Sequence, residues 1–144
     1  MKKENIEYYL KTDQLRLRQR DLQQVTSMIK SAETNATVAN SVGLNEDSAT
    51  LIFREIYESI RQLGDAKWWL NGYEPRNHEV SIEILKAFEI KEKIMLNHLT
   101  RLKKIRHDAN YRGYKVTVQQ AEEIKTFWKK CATEIIASLK KELK

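Results

Sequence analysis

From Val118 to Leu143, apolar side chains return at every third or fourth position: Val118, Ala121, Ile124, Phe127, Trp128, Cys131, Ala132, Ile135, Ile136, Leu139 and Leu143. An α-helix repeats every 3.6 residues, so these positions form one stripe that other apolar surface must cover. Thr117, with Gln120 three residues on, supplies a capping box that sets the start of this helix. Cys131 lies on the stripe and reads as a core residue. The rest of the chain offers partners of the same kind. One proline and four glycines in 144 residues leave little to punctuate a many-stranded sheet, so helix is the default. With 41% hydrophobic and 32% charged residues, the chain is too apolar for disorder and too often interrupted by charge to span a membrane.

A second helix is expected from about Asp47 to Leu70, capped by Asn45 or Asp47, with Ile52, Ile56, Ile60, Leu63 and Leu70 facing the core. Gly64 weakens this helix without ending it. Asn71-Gly72-Tyr73-Glu74-Pro75 ends it, because glycine accepts positive φ and proline forbids continuation. Asn77 then caps a third helix with Val80, Ile84, Leu85 and Phe88 on one face. Ile94, Met95, Leu99, Leu102 and Ile105 continue the pattern into a fourth, which finishes near Tyr111 to Gly113. The N-terminal segment from Glu4 to Ala32 reads as one outer helix, with residues 1 to 10 fraying, and residues 33 to 44 read as a flexible loop. Adjacent Trp68 and Trp69 point about 100° apart on a helix, so one enters the core and the other sits at its edge. That edge suits either a subunit interface or a lysine-covered surface. The fold expected is all-α, an up-and-down bundle of four to five helices forming a single domain over residues 1–144.

The familiar signatures of metal and nucleophile chemistry are missing. The chain has no glycine-rich phosphate loop, no HExxH, no paired CxxC and no GxSxG. His78, His98 and His107 lack metal-ligand spacing, so neither a metal nor a cofactor is expected. One cysteine excludes an internal disulfide framework, and no apolar leader follows Met1, so a cytoplasmic setting is expected and the sequon at Asn35 carries no weight. The formal charge of +6 is uneven: residues 78 to 144 hold fifteen basic and nine acidic groups. Arg101, Lys103, Lys104, Arg106, Arg112 and Lys115 stand within fifteen residues against Asp108 alone. Such a cluster attracts phosphate, although many lysine-rich helical runs are only solvated faces.

Within this run, Arg106 and Asn110 share a helical face, as do His107 and Tyr111. The set could hold a phosphate with arginine and move a proton with histidine. It could equally be a helix terminus, with cations favoured by the dipole and Asn110 and Gly113 as stop residues.

Gly72-Tyr73, His78 opening the third helix, and then Arg106-His107-Asp108-Ala109-Asn110-Tyr111 near the end of the next helix together resemble the HEPN domains of prokaryotes. The resemblance covers about residues 10 to 140. It implies a helical bundle that dimerises, ribonuclease or toxin–antitoxin activity in many members, and in many a minimal nucleotidyltransferase as partner protein. Catalytic members carry an arginine, usually a polar residue after it, and a histidine after four to six intervening residues. Arg106 and His107 match the opening, but Tyr111 stands where the histidine is expected, and no histidine follows. Ala109-Asn110-Tyr111 is close to the Ala-Asp-Tyr ending of a different branch. The alternative pairing, Arg101 with His107, places the two side chains about 120° apart on a regular helix, so they would converge only at an unwound end or across a dimer interface.

Three readings follow. The first is a nucleic-acid or nucleotide binding homodimer without strong catalytic power, in which Arg101, Lys104, Arg106 and Arg112 contact phosphate, Asn110 and Tyr111 make directional or stacking contacts, and Asp108 completes the binding set. The second is a metal-independent endoribonuclease with His107 as acid or base and Arg106 or Arg101 stabilising the phosphorane. The third is a protein-interaction scaffold, which holds if Arg106 and Asn110 are locked in bonds within their own subunit and no cleft lies beside them.

Overall fold

The computed structural model describes all 144 residues. The fold is all-α and bundle-like, with helices α1 (Lys3–Lys11), α2 (Leu22–Ser41), α3 (Ala49–Leu70), α4 (His78–Leu85), α5 (Leu99–Tyr111), α6 (Val118–Phe127) and α7 (Thr133–Glu142). A two-stranded antiparallel sheet pairs β1 (Leu15–Leu17) with β2 (Tyr73–Pro75) in the register Leu15 to Pro75 and Leu17 to Tyr73. No helix is long and apolar enough to cross a membrane.

Helix α3 is the axis of the molecule, and α2, α4, α5, α6 and α7 all pack against it. Its buried residues run round most of its circumference, from Ile52, Phe53 and Ile56 to Ile60, Leu63 and Trp68. The loop before it is held by Asn45, whose side-chain oxygen accepts from the backbone N–H of Asp47 and Ser48, so the helix opens at Ala49. Gly72 ends the segment at φ +88°, and Asn77 then accepts from the Val80 N–H to cap α4. Trp68 is fully buried and Trp69 only partly, as the angle between them requires.

The N-terminal third departs from the expected single helix and loop. Asp13 sits at φ +60°, which closes α1 and turns the chain into β1. Leu15 is thereby buried against Trp68, Val80 and Ile84, with Ile6, Tyr9 and Leu10 of α1 packed around them. Tyr9 and Tyr73 each meet the Trp68 ring edge-on, at 6.5 and 5.8 Å between centroids. Asp21 caps a new helix by accepting from the Gln24 N–H. That helix continues through residues 33 to 41 because Ala32, Ala36 and Ala39 are buried against the main core. Small side chains that look loop-like in sequence let α2 lie close along α3.

Two smaller corrections concern the second half. Residues Lys93–His98 form a 3₁₀ segment, and Ile94 is 81% exposed where the periodicity expects it to face the core. Between α6 and α7 the rod passes through a π turn at Trp128–Ala132, which keeps Phe127, Cys131 and Ile135 buried together. Burial pushes the Cys131 thiol up to about 11. A thiol-specific disulfide reagent at pH 8 should therefore leave the folded protein unlabelled and react promptly once denaturant is added. Prompt labelling of the native chain would place Cys131 elsewhere.

Candidate anion-binding cleft between α3 and α5

A charged seam runs along α3, the helix with the most buried apolar residues. Arg54, Glu58, Arg61 and Asp65 follow one another at spacings of four, three and four, so they share one face. Arg61 sits between two carboxylates. Its Nε donates to Glu58 at 3.0 Å, one terminal nitrogen donates to the other Glu58 oxygen, and the second donates to Asp65 at 2.6 Å. The remaining Asp65 oxygen accepts from the Ser81 hydroxyl of α4. Burial raises the Asp65 carboxyl above its ordinary value despite Arg61 and Ser81. Glu58 is less deeply placed. There burial is outweighed by the Arg61 hydrogen bond and charge, which hold the carboxyl below the usual range.

Helix α5 brings Arg106 over this seam. Its guanidinium lies 5.6 Å from the centre of the Tyr57 ring, which in turn stacks on Phe53 at 6.3 Å. A cleft of about 490 Å³ opens between the helices, lined by Arg54, Glu55, Glu58, Arg106, Asn110 and Tyr111. Arg54 Nε donates to Asn110 Oδ1 at 2.9 Å and ties the two walls together. Tyr111 is 71% exposed, and the His107 ring packs on it at 5.0 Å.

The sequence-derived set therefore divides. Arg106, Asn110 and Tyr111 line one cleft, and His107 stands at its rim through Tyr111. Arg101 turns away to α6, where Glu123 takes two hydrogen bonds of 3.0 Å from it. Lys104 pairs with Asp108 at 3.2 Å, one turn along the exposed side of α5. Arg112 lies over the exposed ring of Tyr114. These last contacts are mostly solvent-exposed and contribute little to stability. Asn110 is engaged within the chain by Arg54, whereas Arg106 takes part in no hydrogen bond or ion pair and a cleft lies beside it. The two conditions that would make the segment purely architectural are thus not met together.

Sequence reasoning missed Arg54, Tyr57, Glu58 and Arg61. The signal was present as a charged stripe at helical spacing, Arg54, Glu58, Arg61 and Asp65, on the helix that buries the most apolar residues. His78, at the start of α4, is also brought toward this region, where burial, Arg61 and Arg106 hold its imidazole below the ordinary value and Glu58 alone opposes them. No group of three or more His, Cys, Asp or Glu side chains is placed to hold a metal ion. Compared with family models, curated proteins and solved structures, the chain matches none.

Proposed function

We propose that the chain is a nucleic-acid or nucleotide binding domain of HEPN type that works as a homodimer with little or no catalytic power, and that the α3–α5 cleft is its anion-binding surface. The observation that carries this reading is the state of Arg106. Arg101, Lys103 and Lys104 on the same helix are each paired with a carboxylate, while Arg106 is held in place by Tyr57 and keeps all its N–H donors unused. A guanidinium that is positioned but unpaired beside a cleft is suited to phosphate. Exposed Tyr111, which lines the same cleft, supplies a face on which a base can stack. Leu51, one turn before Glu55 on the same face of α3, is exposed as well, and a second copy seated there would cover it.

Fluorescence anisotropy with a short labelled RNA tests the reading. Association is expected at low salt and should weaken steeply as salt rises, and R106Q should weaken it about tenfold. Undetectable or salt-independent association would count against it.

A second reading, metal-independent cleavage of RNA, is favoured by one contact: the packing of His107 on Tyr111, which keeps an imidazole at the mouth of the cleft. Cleavage in EDTA that disappears in His107→Ala would support it, and cleavage unaffected by that substitution would remove it. A nucleotidyltransferase partner, implied by the resemblance, belongs to either reading.

A further inference from the structure

One lining residue of the α3–α5 cleft is the wrong sign for a site that takes only phosphate. Glu55 shares the cleft with Arg106, Asn110 and Tyr111 and forms neither a hydrogen bond nor an ion pair. Its neighbours one turn away on α3 are Leu51, Ile52, Glu58 and Ser59, so no cation answers it along the helix, and Glu58 three residues on is a like charge. The other acidic group of the cleft is already engaged, since Arg61 clamps Glu58. Glu55 is therefore the one carboxylate that a ligand entering the cleft meets unpartnered.

The donors are distributed on the facing wall. Arg106 of α5 keeps its N–H groups free over the Tyr57 ring. Asn110, one turn further along α5, has its oxygen committed to Arg54 at 2.9 Å, which leaves its amide nitrogen to donate. A bare phosphate would be drawn to Arg106 and repelled by Glu55. A ligand that satisfies both walls carries an anionic group for Arg106 and, at its other end, N–H groups for a carboxylate. The cleft, at about 490 Å³, is in the size range that holds one small ligand.

We propose that the cleft selects guanine, with Glu55 accepting from the N1–H and 2-amino groups of the base while Arg106 holds an adjoining phosphate and Tyr111 stacks on the ring. This inference rests on the reading of the cleft as a nucleotide or nucleic-acid surface and narrows it. Guanine alone among the RNA bases presents two adjacent N–H donors on its Watson–Crick edge, a match for the two oxygens of one carboxylate. Adenine and cytosine each set their amino group beside a ring nitrogen that accepts, and uracil flanks its single N–H with two carbonyls, so each of the three turns a lone pair toward Glu55. The guanine O6, next to N1–H, is an acceptor for the free amide nitrogen of Asn110.

Three uridine hexamers, each with one central guanosine, inosine or adenosine, are titrated against the full chain at low salt by fluorescence anisotropy, together with guanosine and adenosine 5′-monophosphates. The guanosine hexamer should bind about tenfold more tightly than the adenosine hexamer, and inosine, which keeps N1–H and lacks the 2-amino group, should fall between them. Glu55→Gln changes an exposed side chain and should leave the melting temperature unchanged. It should weaken the guanosine hexamer about fivefold, because an amide has one oxygen to accept, and leave the adenosine hexamer bound as well or better, because a negative charge near its phosphates is gone. R106Q should weaken all three hexamers alike. Equal binding of the three by the parent, a guanine preference that survives Glu55→Gln, or a Glu55→Gln protein that binds all three more tightly by the same factor each overturns the guanine site and leaves the nucleic-acid reading standing. Discrimination between the monophosphates with no hexamer bound keeps the guanine site and narrows the ligand to a free nucleotide. Binding of none of the five overturns both.

Discussion

Gly64→Ala should destabilise the protein by about 3 kcal/mol or more and lower its melting temperature by about 10 °C, although glycine to alanine inside a helix ordinarily stabilises by about 0.5–1 kcal/mol. The reversed sign comes from the crossing of α3 and α4. A Cβ at position 64 would overlap the Ser81 carbonyl oxygen and lie 2.7 Å from its carbon and 3.1 Å from its Cα. These are backbone atoms of a packed helix, so relief requires moving α4 bodily. Such a shift strains two contacts made at the crossing, the Trp68 indole N–H donating to the Val80 carbonyl at 2.8 Å and the Ser81 hydroxyl donating to Asp65. Gly43→Ala is the matched control, since a Cβ there meets nothing within 4 Å, and it should be neutral or slightly stabilising. Thermal unfolding of both variants decides the matter. A Gly64→Ala protein as stable as the parent would mean that α3 and α4 do not approach this closely.

Arg61→Met should cost about 3–5 kcal/mol near neutral pH, because it leaves Glu58 and Asp65 without the cation that both face. The loss should depend on pH in a definite direction. Asp65 already has its carboxyl raised by burial, and without Arg61 it is raised further, so its ionised form is the destabilised one in the folded state. The deficit is therefore largest above the folded pKa of Asp65 and shrinks as acid protonates it. Glu58 contributes the opposite sign in the parent. Held below its ordinary value, it adds stability that is present above the unfolded carboxylate pKa and is lost as pH falls through the lower folded value. Removing Arg61 removes that contribution too, which again narrows the gap between variant and parent at low pH. Denaturant unfolding at pH 7 and pH 4 measures this, and a variant equally impaired at both would refute it. Asp65→Asn in the Arg61→Met background should recover part of the loss, because it deletes the unpaired charge while keeping an oxygen to accept from Ser81.

The two substitutions lie one turn apart on α3, and neither position draws attention in the bare sequence. Gly64 reads there as a weak spot in a helix, and Arg61 as one charge among many. The part of the candidate site that was legible is the part whose meaning is local. Arg106, Asn110 and Tyr111 lie on one helix end at spacings that put them together, and the structure places them in one cleft. Arg101 and Lys104 look equally suitable, but they find Glu123 and Asp108, and the first of these partners belongs to another helix. Tyr57 is distant from position 106 in the chain, so nothing short of the packed fold could bring its ring beneath the Arg106 guanidinium.

Helix identity followed from the amino-acid order alone, because apolar period, the capping box at Thr117 and Gln120, the Asn77 cap and the stop at Gly72 are all interactions within a few residues. The all-α class and most of the α3 and α6 core followed in the same way. The break of the N-terminal third into α1, β1 and α2 was decided only in three dimensions, where Leu15 gains the surface of Trp68 and β1 gains a partner strand. The same holds for which cations are free. Whether a guanidinium is spent on a carboxylate or left for a ligand depends on which side chain the neighbouring helix presents to it, and tertiary packing alone settles that.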